Sequence, residues 1–334
     1  MSNGLDQAQT QAMLAEAERA ADTLARVRQE IGKAIFGQER VIELVLAAVL
    51  AGGHALLVGA PGLAKTRLVE AMATVLGLDW ARVQFTPDLM PADILGSEVL
   101  DQDEQGRRHF RFVKGPIFTS LLMADEINRA SPRTQSALLQ AMQEHHVTVA
   151  GQAYDVPNPF HVLATQNPIE HEGAYPLPEA QLDRFLLQVD VPYPDAEIER
   201  RILIETTGLD ETLPQTVLNG DSLVRLQHLV RAMPVGEKVV ASILNLVRSA
   251  RPGASHDARV NQHVAWGPGP RAGQSLMLAV RARALLRGRL APSIDDVAAL
   301  ARPALVHRMQ LSFGARAEGL DIDSLVDDLA EKAA

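Results

Sequence analysis

The chain has 334 residues, of which 47% are hydrophobic, 22% charged and 4% aromatic, and its net charge is −9. This length predicts about two domains and a core large enough to fold without disulfides or structural metals. The chain has no cysteine, which excludes disulfides, Cys-ligated zinc, iron–sulfur clusters and thiol nucleophiles. The acidic balance disfavours broad non-specific binding of nucleic acid, although a local basic groove stays open.

The amino-terminal region carries no pattern of a secretory signal. Residues 1–30 are rich in Ala, Gln and Glu, without a basic start followed by an apolar core, and residues 5–31 are predicted to be helical. The most apolar stretch, 41–59, is interrupted by Glu43 and by the segment 52–54. It predicts a helix, a turn and a buried strand rather than a membrane span, and we expect a cytoplasmic protein.

Between residues 40 and 190, short apolar runs alternate with helical stretches, which indicates an α/β fold with a mostly parallel sheet. Five runs are predicted as strands of this sheet: 55–58, 82–85, 121–124, 161–164 and 186–189. Two further pairs alternate around glycine-containing turns and predict β-hairpins: 97–100 with 109–113, and 146–149 with 153–156.

After about residue 200 no further strands are predicted. Helical patterns cover 196–208, 221–233, 236–250, 271–288 and 293–310, and a short exposed amphipathic helix is predicted over 318–332. The predicted organisation is therefore an N-terminal helix (1–30), an α/β core (31–200) and a smaller all-α domain (201–334).

The strongest motif follows the first strand and precedes a helical run. It reads Gly59-Ala60-Pro61-Gly62-Leu63-Ala64-Lys65-Thr66. Backbone N–H groups of such a loop, together with the helix N-terminus, bind phosphate oxygens. Lys65 is predicted to reach the β- and γ-phosphates of a nucleotide, and the Thr66 hydroxyl to ligate Mg²⁺. Ala64 stands where a glycine is usual, and we expect it to fit only with a negative φ.

A second motif is the acidic pair that ends the third predicted strand, 121–124. Successive residues of a strand point to opposite sides, so Asp125 and Glu126 are predicted to have different roles. Asp125 would hold Mg²⁺ through water, and Glu126 would polarise the water that attacks the γ-phosphate.

Three further polar residues complete the candidate site. Asn167 follows the fourth strand, at the ligand edge of an open α/β sheet, and would bind the γ-phosphate or the attacking water. Arg184 precedes the fifth strand, and Arg271 opens a helix, where a cation opposes the helix dipole unless an anion lies nearby. We expect one arginine to act across a subunit boundary and the other from the helical domain of the same chain.

Together these motifs resemble the AAA+ ATPases, and in detail the MoxR family, over about residues 30–310. Beyond the motifs above, the resemblance rests on the stretches 84–94, 127–130, 134–144, 164–168, 177–185 and 266–272. It implies a P-loop AAA+ core with a five-stranded parallel sheet and two β-hairpin inserts, followed by an all-α lid. The family typically has Ala at the position of Ala64.

The resemblance also implies residue roles. Gly59 to Thr66 would be the Walker A loop, Asp125 and Glu126 the Walker B pair, Asn167 sensor 1, Arg184 the arginine finger and Arg271 sensor 2. Arg129 is a second candidate for the interface arginine. The segment Phe36-Gly37-Gln38 would lie along the adenine.

The resemblance further implies an ATP- and Mg²⁺-dependent hexameric ring that acts like a chaperone. Members of the family work with von Willebrand factor A-domain (VWA) proteins to activate or mature a client enzyme, often by insertion of a metal or cofactor. The identity of the client and of the VWA partner stays open.

Two alternatives stay open from the sequence. A nucleic-acid motor of the related helicase branch would use basic and aromatic residues on a hairpin, and the segment 107–112 offers them. A chelatase-type ATPase subunit would insert Mg²⁺ or Co²⁺ into a tetrapyrrole. A basic stripe, Arg281, Arg283, Arg287 and Arg289, is either a solvated face or a contact for an acidic partner.

Overall fold

The computed structural model describes residues 7–102, 106–168, 175–208 and 213–333. Residues 103–105, in the turn of the first predicted hairpin, lie outside the described residues. Up to residue 190 the elements are α1 (Gln7–Gly32), α2 (Glu39–Leu50), β1 (Ala55–Val58), α3 (Lys65–Leu76), β2 (Trp80–Gln84), α4 (Pro91–Leu95), β3 (Gly96–Gln102), β4 (Arg108–Lys114), β5 (Leu121–Asp125), α5 (Pro132–Glu144), β6 (His146–Val149), β7 (Gln152–Asp155), β8 (His161–Gln166), α6 (Glu179–Leu182) and β9 (Leu187–Asp190).

The five predicted strands form one parallel sheet in the order β2-β5-β8-β1-β9. The registers bring the carboxyl ends of the strands to one edge: Val58 lies opposite Gln166 and Asp190, and Gln84 lies opposite Asp125. Both predicted hairpins are present, as β3–β4 and β6–β7. The predicted α/β class with a parallel sheet and two inserts is therefore confirmed.

The hydrophobic core has one cluster on each side of the sheet. Leu57 packs in the larger cluster, with α1, α2, α3 and the carboxyl-terminal helices, while Leu56 packs in the smaller cluster, with α5. Neighbouring residues of one strand therefore serve opposite faces, as the pleat requires. Burial on both faces explains why these strands are continuous apolar runs.

After residue 190 the chain forms a helical lid. Its elements are α7 (Ala196–Thr206), α8 (Gly220–Ala232), α9 (Glu237–Ser249), α10 (Ala258–His263), β10 (Val264–Trp266), α11 (Pro270–Leu286), α12 (Ile294–Leu305), β11 (Gln310–Leu311), α13 (Phe313–Ala317) and α14 (Ile322–Ala333).

The lid departs from the sequence prediction in two places. Strands do not stop at residue 200, because β10 and β11 pair as a short antiparallel ribbon. Strands this short carry no recognisable alternation, so the pattern could not reveal them. The last helix is amphipathic as predicted but is not simply exposed, since it packs against α9 and α12 and buries Leu325, Val326, Leu329 and Ala330.

The predicted basic stripe largely binds acids of its own chain. Glu43, buried in α2, accepts a hydrogen bond from Arg287 at 2.7 Å and lies 3.4 Å from Arg283. Arg289 donates to the fully buried Asp296 at 2.5 Å, and Arg283 contacts the same carboxylate. Burial raises the pKa of Glu43, but its arginine partners outweigh burial and leave that pKa lowered. The pairs with Glu43 join the lid to α2 of the core, and those with Asp296 lie within the lid, so this part of the stripe is not a solvated face.

Candidate active site

The phosphate-binding loop connects β1 to α3 and lies at the carboxyl edge of the sheet. Gly59 has to be a glycine, because a Cβ there would lie 2.8 Å from the carbonyl oxygen of Val191. Gly62 has φ +82°. Ala64, the residue before α3, has φ +55° and ψ +23°.

The prediction that Ala64 has a negative φ is therefore wrong. The loop must reverse direction to point successive N–H groups and the first turn of α3 at one spot, and the left-handed conformation accomplishes this. It costs a residue with a Cβ roughly 1–2 kcal/mol. Such strain is typical of ligand-binding loops held by surrounding structure.

The Lys65 side chain folds back over the loop. Its Nζ donates to the carbonyl oxygens of Gly59 at 2.5 Å and Ala60 at 3.1 Å. The ammonium group thus lies beside the loop that would hold phosphate, and Thr66 follows it in the first turn of α3. Together the loop N–H groups, the lysine and the helix terminus form an anion site.

Asp125 ends β5, and its carboxylate is held on two sides. It accepts from the Thr165 hydroxyl at 2.5 Å and from the Arg82 guanidinium at 2.6 Å. Thr165 is buried in β8 and Arg82 lies on β2, so the two strands that flank β5 both orient this carboxylate.

Glu126 leaves the strand with φ +55°, and its side chain diverges from that of Asp125. Its backbone N–H donates to the Thr165 hydroxyl at 2.8 Å. Its carboxylate accepts from Gln84 at 2.8 Å and from Arg129 at 3.1 Å. The two carboxylates therefore have separate partners, as the strand alternation predicts, and Arg129 is bound to an acid of its own chain.

Three residues of the site are not predicted from the sequence: Arg82, Gln84 and Thr165. Arg82 and Gln84 are two residues apart on β2 and so lie on the same face. They contact the acids because β2 pairs with β5 in register, Gln84 opposite Asp125. Polar residues near the carboxyl end of β2 indicate site residues only when the strand order is known, because that order places β2 beside the strand of the acidic pair.

These groups surround one cavity of about 460 Å³. Its lining consists of Pro61, Gly62, Leu63, Ala64, Lys65, Thr66, Arg67, Arg82, Gln84, Asp125, Glu126 and Asn167. Asn167 is 5% exposed. The structure therefore brings most of the predicted loop, both predicted acids and the predicted sensor amide together in one cavity.

The segment predicted to lie along the adenine is next to this loop. Gln38 donates through Nε2 to the Leu63 carbonyl at 3.4 Å, and its Oε1 is buried without a hydrogen-bond partner in the described part of the chain. The Arg201 guanidinium of α7 lies 4.5 Å from the centre of the Phe36 ring. Gly37, with φ +68°, passes Ile198 of α7 so closely that a Cβ would be 2.6 Å from it.

The two predicted arginines lie beyond the opposite edge of the sheet, where the amino ends of the strands meet. Arg184 comes three residues before β9, whose first residue, Leu187, pairs with the first residue of β1. The phosphate-binding loop follows the last residue of β1, and four strand residues span about 13 Å. Arg184 donates to the Leu139 carbonyl, and the Arg271 guanidinium is 3.6 Å from the Asp183 carboxylate. Burial, and then the nearby charge of Arg271, lower the pKa of Arg184.

The sequence predicts that one of the two arginines reaches the nucleotide from the helical domain of its own chain. In the structure neither Arg184 nor Arg271 is among the described residues that line the cavity, and the roles of both arginines stay predictions. The anion that faces the start of α11 is Asp183.

A buried arginine joins this arginine pair to the lid. Arg308, 1% exposed, donates to the Asp183 carboxylate at 2.7 Å and to the Phe185 carbonyl at 2.7 Å. It also donates to the Ser275 hydroxyl of α11 at 3.0 Å. Asp183 therefore bridges Arg308 and Arg271, and the segment before β9 and the start of α11 are held together.

The residues of the cavity fit a magnesium nucleotide. The Thr66 hydroxyl and the Asp125 carboxylate supply the hard oxygen ligands that Mg²⁺ prefers. Among the described residues no group of three or more His, Asp or Glu side chains is arranged to hold a metal by itself. Magnesium at such sites is usually held by one or two protein oxygens together with the phosphates. The Gln38 Oε1, beside the loop, is a buried acceptor without a hydrogen-bond partner among the described residues.

In the described residues, no helix combines the length and the apolar character needed to cross a bilayer.

Comparisons with known proteins agree with this architecture. A family model described as "ATPase family associated with various cellular activities (AAA)" matches residues 54–187, and one described as "AAA lid domain" matches residues 256–329. A crystal structure of a proposed ATPase from Cytophaga hutchinsonii superposes with a TM-score of 0.88 at 34% identity, covering 95% of this chain and 96% of that one.

Two named relatives are similar over most of their length. Chaperone MoxR1 of Mycobacterium tuberculosis is 41% identical over 313 residues, which cover 93% of this chain and 82% of the relative. Protein MoxR of Methylorubrum extorquens is 34% identical, covering 87% of this chain and 88% of the relative. With the loop, the acidic pair and the lid in this arrangement, the chain belongs to the MoxR family of AAA+ ATPases.

Proposed function

We propose that this protein hydrolyses ATP with Mg²⁺ in a hexameric ring, and that the ring acts like a chaperone on a client enzyme together with a VWA-domain partner. One observation carries the catalytic part of this proposal. Lys65, Asp125, Glu126 and Asn167 meet around one cavity, whereas Arg184 and Arg271 lie beyond the opposite edge of the sheet.

Binding of the triphosphate would use the loop from Gly59 to Thr66. Its N–H groups and the Lys65 ammonium bind phosphate oxygens, and Lys65 exchanges its loop carbonyl partners for them. Gln38 Oε1 accepts a hydrogen bond from the amino group of the base. Thr66 and Asp125 hold Mg²⁺, which would neutralise charge on the β- and γ-phosphates when bound.

Glu126 is the residue proposed to polarise the attacking water, with Asn167 orienting that water or the γ-phosphate. In the structure the Glu126 carboxylate is already bound by Gln84 and Arg129. These two partners orient the carboxylate toward the cavity and keep it ready to accept a hydrogen bond from water. General base assistance of this kind contributes roughly 10²–10⁴-fold in rate.

Arg184 and Arg271 are proposed to act on the nucleotide of a neighbouring chain. A cation that stabilises the charge of the transferring phosphoryl group is worth about 10³–10⁵-fold. Because the cavity and the arginines are at opposite edges of one chain, a head-to-tail contact between copies would join them, and repeated contacts of this type close into a ring.

The proposed action of the ring on a client enzyme is supported by membership of the MoxR family. The name of the M. tuberculosis relative describes a chaperone, and we extend that role to this chain. A ring that changes shape with each hydrolysis step can remodel a bound client. Insertion of a metal into a tetrapyrrole, the chelatase-type alternative, is one form of such a role. Co-purification with a Glu126→Gln variant held in the ATP state identifies the partner.

A nucleic-acid motor is a second candidate, and one feature favours it. The β3–β4 hairpin exposes Phe110 (70% exposed) beside Arg108, and aromatic and basic groups together suit single-stranded nucleic acid. Against it, Arg111 of the same hairpin is paired with Asp101 at 2.8 Å. ATP turnover measured with and without single-stranded DNA at fixed ionic strength separates the two candidates, because only the motor is stimulated.

The proposed ATPase activity is tested by Glu126→Gln. We expect phosphate release to fall at least about 100-fold, while nucleotide affinity stays within a few-fold, because the loop and Lys65 are unchanged. Glu318→Gln, at an exposed position of the lid, is the matched control and should hydrolyse ATP normally. Full turnover by Glu126→Gln would contradict the assignment.

A further inference from the structure

Helix α7 carries an apolar ridge that no described residue of its own chain buries. None of its side chains is buried in the described part of the chain, and Leu203 and Ile204 are 66% and 60% exposed. Single exposed aliphatic residues are ordinary on protein surfaces, but two adjacent ones on a helix without any buried side chain are a recognisable contact surface. We call Leu203 and Ile204 the ridge.

The lid carries an apolar groove of about 630 Å³ between α9 and α11. We call it the lid groove, and it is lined by Val240, Ile243, Leu244, Val247, Arg251, Pro270, Gly273, Gln274, Met277 and Leu278. Leu244, in its wall, is 55% exposed. The lid groove is thus wide enough for aliphatic side chains and is open to a partner.

The lid groove has a cationic rim. Arg251 lines it directly. Arg281 follows Met277 by one helical turn on the same face of α11, and its Nε is buried without a hydrogen-bond partner in the part of the chain described.

On the ridge side, Glu199 lies one turn before Leu203 and Arg200 lies one turn before Ile204, so both signs of charge border the aliphatic pair. The helix carries three acids and two arginines, a small excess of negative charge, and Glu199 is the acid beside Leu203 that would face the cationic rim.

The ridge and the lid groove lie on the two surfaces that the proposed ring brings together. Helix α7 contacts Phe36 and Gly37 beside the nucleotide cavity. The lid groove includes Pro270, the residue immediately before Arg271. A contact that carries Arg271 of one chain to the cavity of the next therefore also carries the lid groove of the first chain toward α7 of the second.

We infer that the lid groove binds a second copy of this chain, with the neighbour's Leu203 and Ile204 inserted between α9 and α11. The inference rests on the proposed function, because it uses the same head-to-tail contact, and it adds the apolar anchor that holds the arginines at the neighbour's cavity. Since the ridge and the groove are different surfaces, the contact is heterologous and propagates around a ring.

The absence of native cysteines makes a crosslinking test specific. Leu203→Cys in one chain and Leu244→Cys in another are mixed with ATP and Mg²⁺ and oxidised with copper phenanthroline. We expect a disulfide-linked dimer that depends on ATP, and a ladder of multimers from a chain that carries both cysteines. Leu244→Cys mixed with Phe313→Cys, at an 83% exposed position of α13, is the matched control and should not crosslink above background.

Assembly gives a second readout. Leu203→Asp with Ile204→Asp changes only exposed positions, so we expect normal folding and normal nucleotide affinity, but ATP-dependent assembly that needs at least about tenfold more protein. Control-level crosslinking, or assembly unchanged by the two aspartates, overturns the inference. If the unmodified chain still assembles and hydrolyses ATP in that case, the proposed function stands. If the unmodified chain neither assembles nor hydrolyses ATP, both are overturned.

Discussion

The two edges of the central sheet differ in the chemistry they present. At the carboxyl edge, the loop, Lys65 and the two acids surround an open cavity. At the amino edge, Arg184 donates to the Leu139 carbonyl, and Arg271 faces Asp183, which the buried Arg308 also binds. In the proposed function the first edge binds the nucleotide and activates water, and the second supplies the cations that stabilise the transferring phosphoryl group. Because the two groups of residues lie at opposite edges of one chain, the proposal requires a neighbouring chain to bring them together.

The largest expected effects separate the two edges directly. Lys65→Ala should lose both nucleotide affinity and turnover, because it removes a cation of the cavity. Arg184→Ala or Arg271→Ala should lower turnover about 10³-fold with nucleotide affinity nearly unchanged. Phosphate release and equilibrium binding of a fluorescent nucleotide measure the two quantities, and Arg316→Ala, at an exposed site of α13, is the control. Weak nucleotide binding by isolated Arg184→Ala chains would contradict the separate roles of the two edges, because Arg184 would then contribute to nucleotide binding within its own chain.

A smaller effect concerns how the amino edge is held. Arg308→Met should lower the free energy of unfolding by about 3–5 kcal/mol, because it leaves the Asp183 carboxylate without its main partner. Adding Asp183→Asn to that variant should recover part of the loss, since both members of the ion pair are then neutral. Chemical denaturation of Arg308→Met, Asp183→Asn, the double variant and the parent measures this. Independent, additive losses would contradict a role for the pair in joining lid and core.

The next effect is a dependence of the free energy of unfolding on pH, which two buried histidines cause. Burial lowers the pKa of His54 to about 3 and that of His161 to about 4. Both are neutral when folded but bind protons when unfolded below about pH 6.5, so their stabilising contribution is present above that pH and is lost as the pH falls. From pH 6.5 to 5 the two should together remove about 3 kcal/mol from the free energy of unfolding. In denaturation series, His161→Gln should remove about half of this two-histidine contribution.

The smallest effect is at Ala64. Its left-handed conformation, φ +55°, is one that glycine adopts without strain, so Ala64→Gly should raise the free energy of unfolding by about 1 kcal/mol. Turnover should change little, because the backbone path is the same. Thermal unfolding measures the change in stability. The control is Ala60→Gly, which lies in the same loop but has no positive φ. A destabilised Ala64→Gly protein would show that the methyl group has a packing role.

Much of the fold was accessible to sequence reasoning because burial on both faces makes strands such as 121–125 continuous apolar runs. The loop and the acidic pair were accessible because their chemistry needs adjacent residues. Arg82 and Gln84 were not, because their contacts with the acids depend on strand order, which no local pattern encodes.

Long-range pairing explains the other differences. The basic stripe gave no sign of its partner Glu43, which is 244 residues away from Arg287 along the chain. The position of Arg271 depends on how α11 packs against the segment before β9, so its motif indicated an anion nearby but not which anion. The conformation of Ala64 depends on the path of the whole loop rather than on its own residue type.

The central claim is that each active site is completed by a neighbouring chain, and mixing two inactive variants tests it most directly. Arg184→Ala chains keep an intact cavity, and Lys65→Ala chains keep intact arginines. If the sites are shared, the mixture hydrolyses ATP well above the sum of the separate variants, because some cavities of the first meet arginines of the second. A mixture no faster than that sum, in samples that assemble like the parent, would contradict the claim.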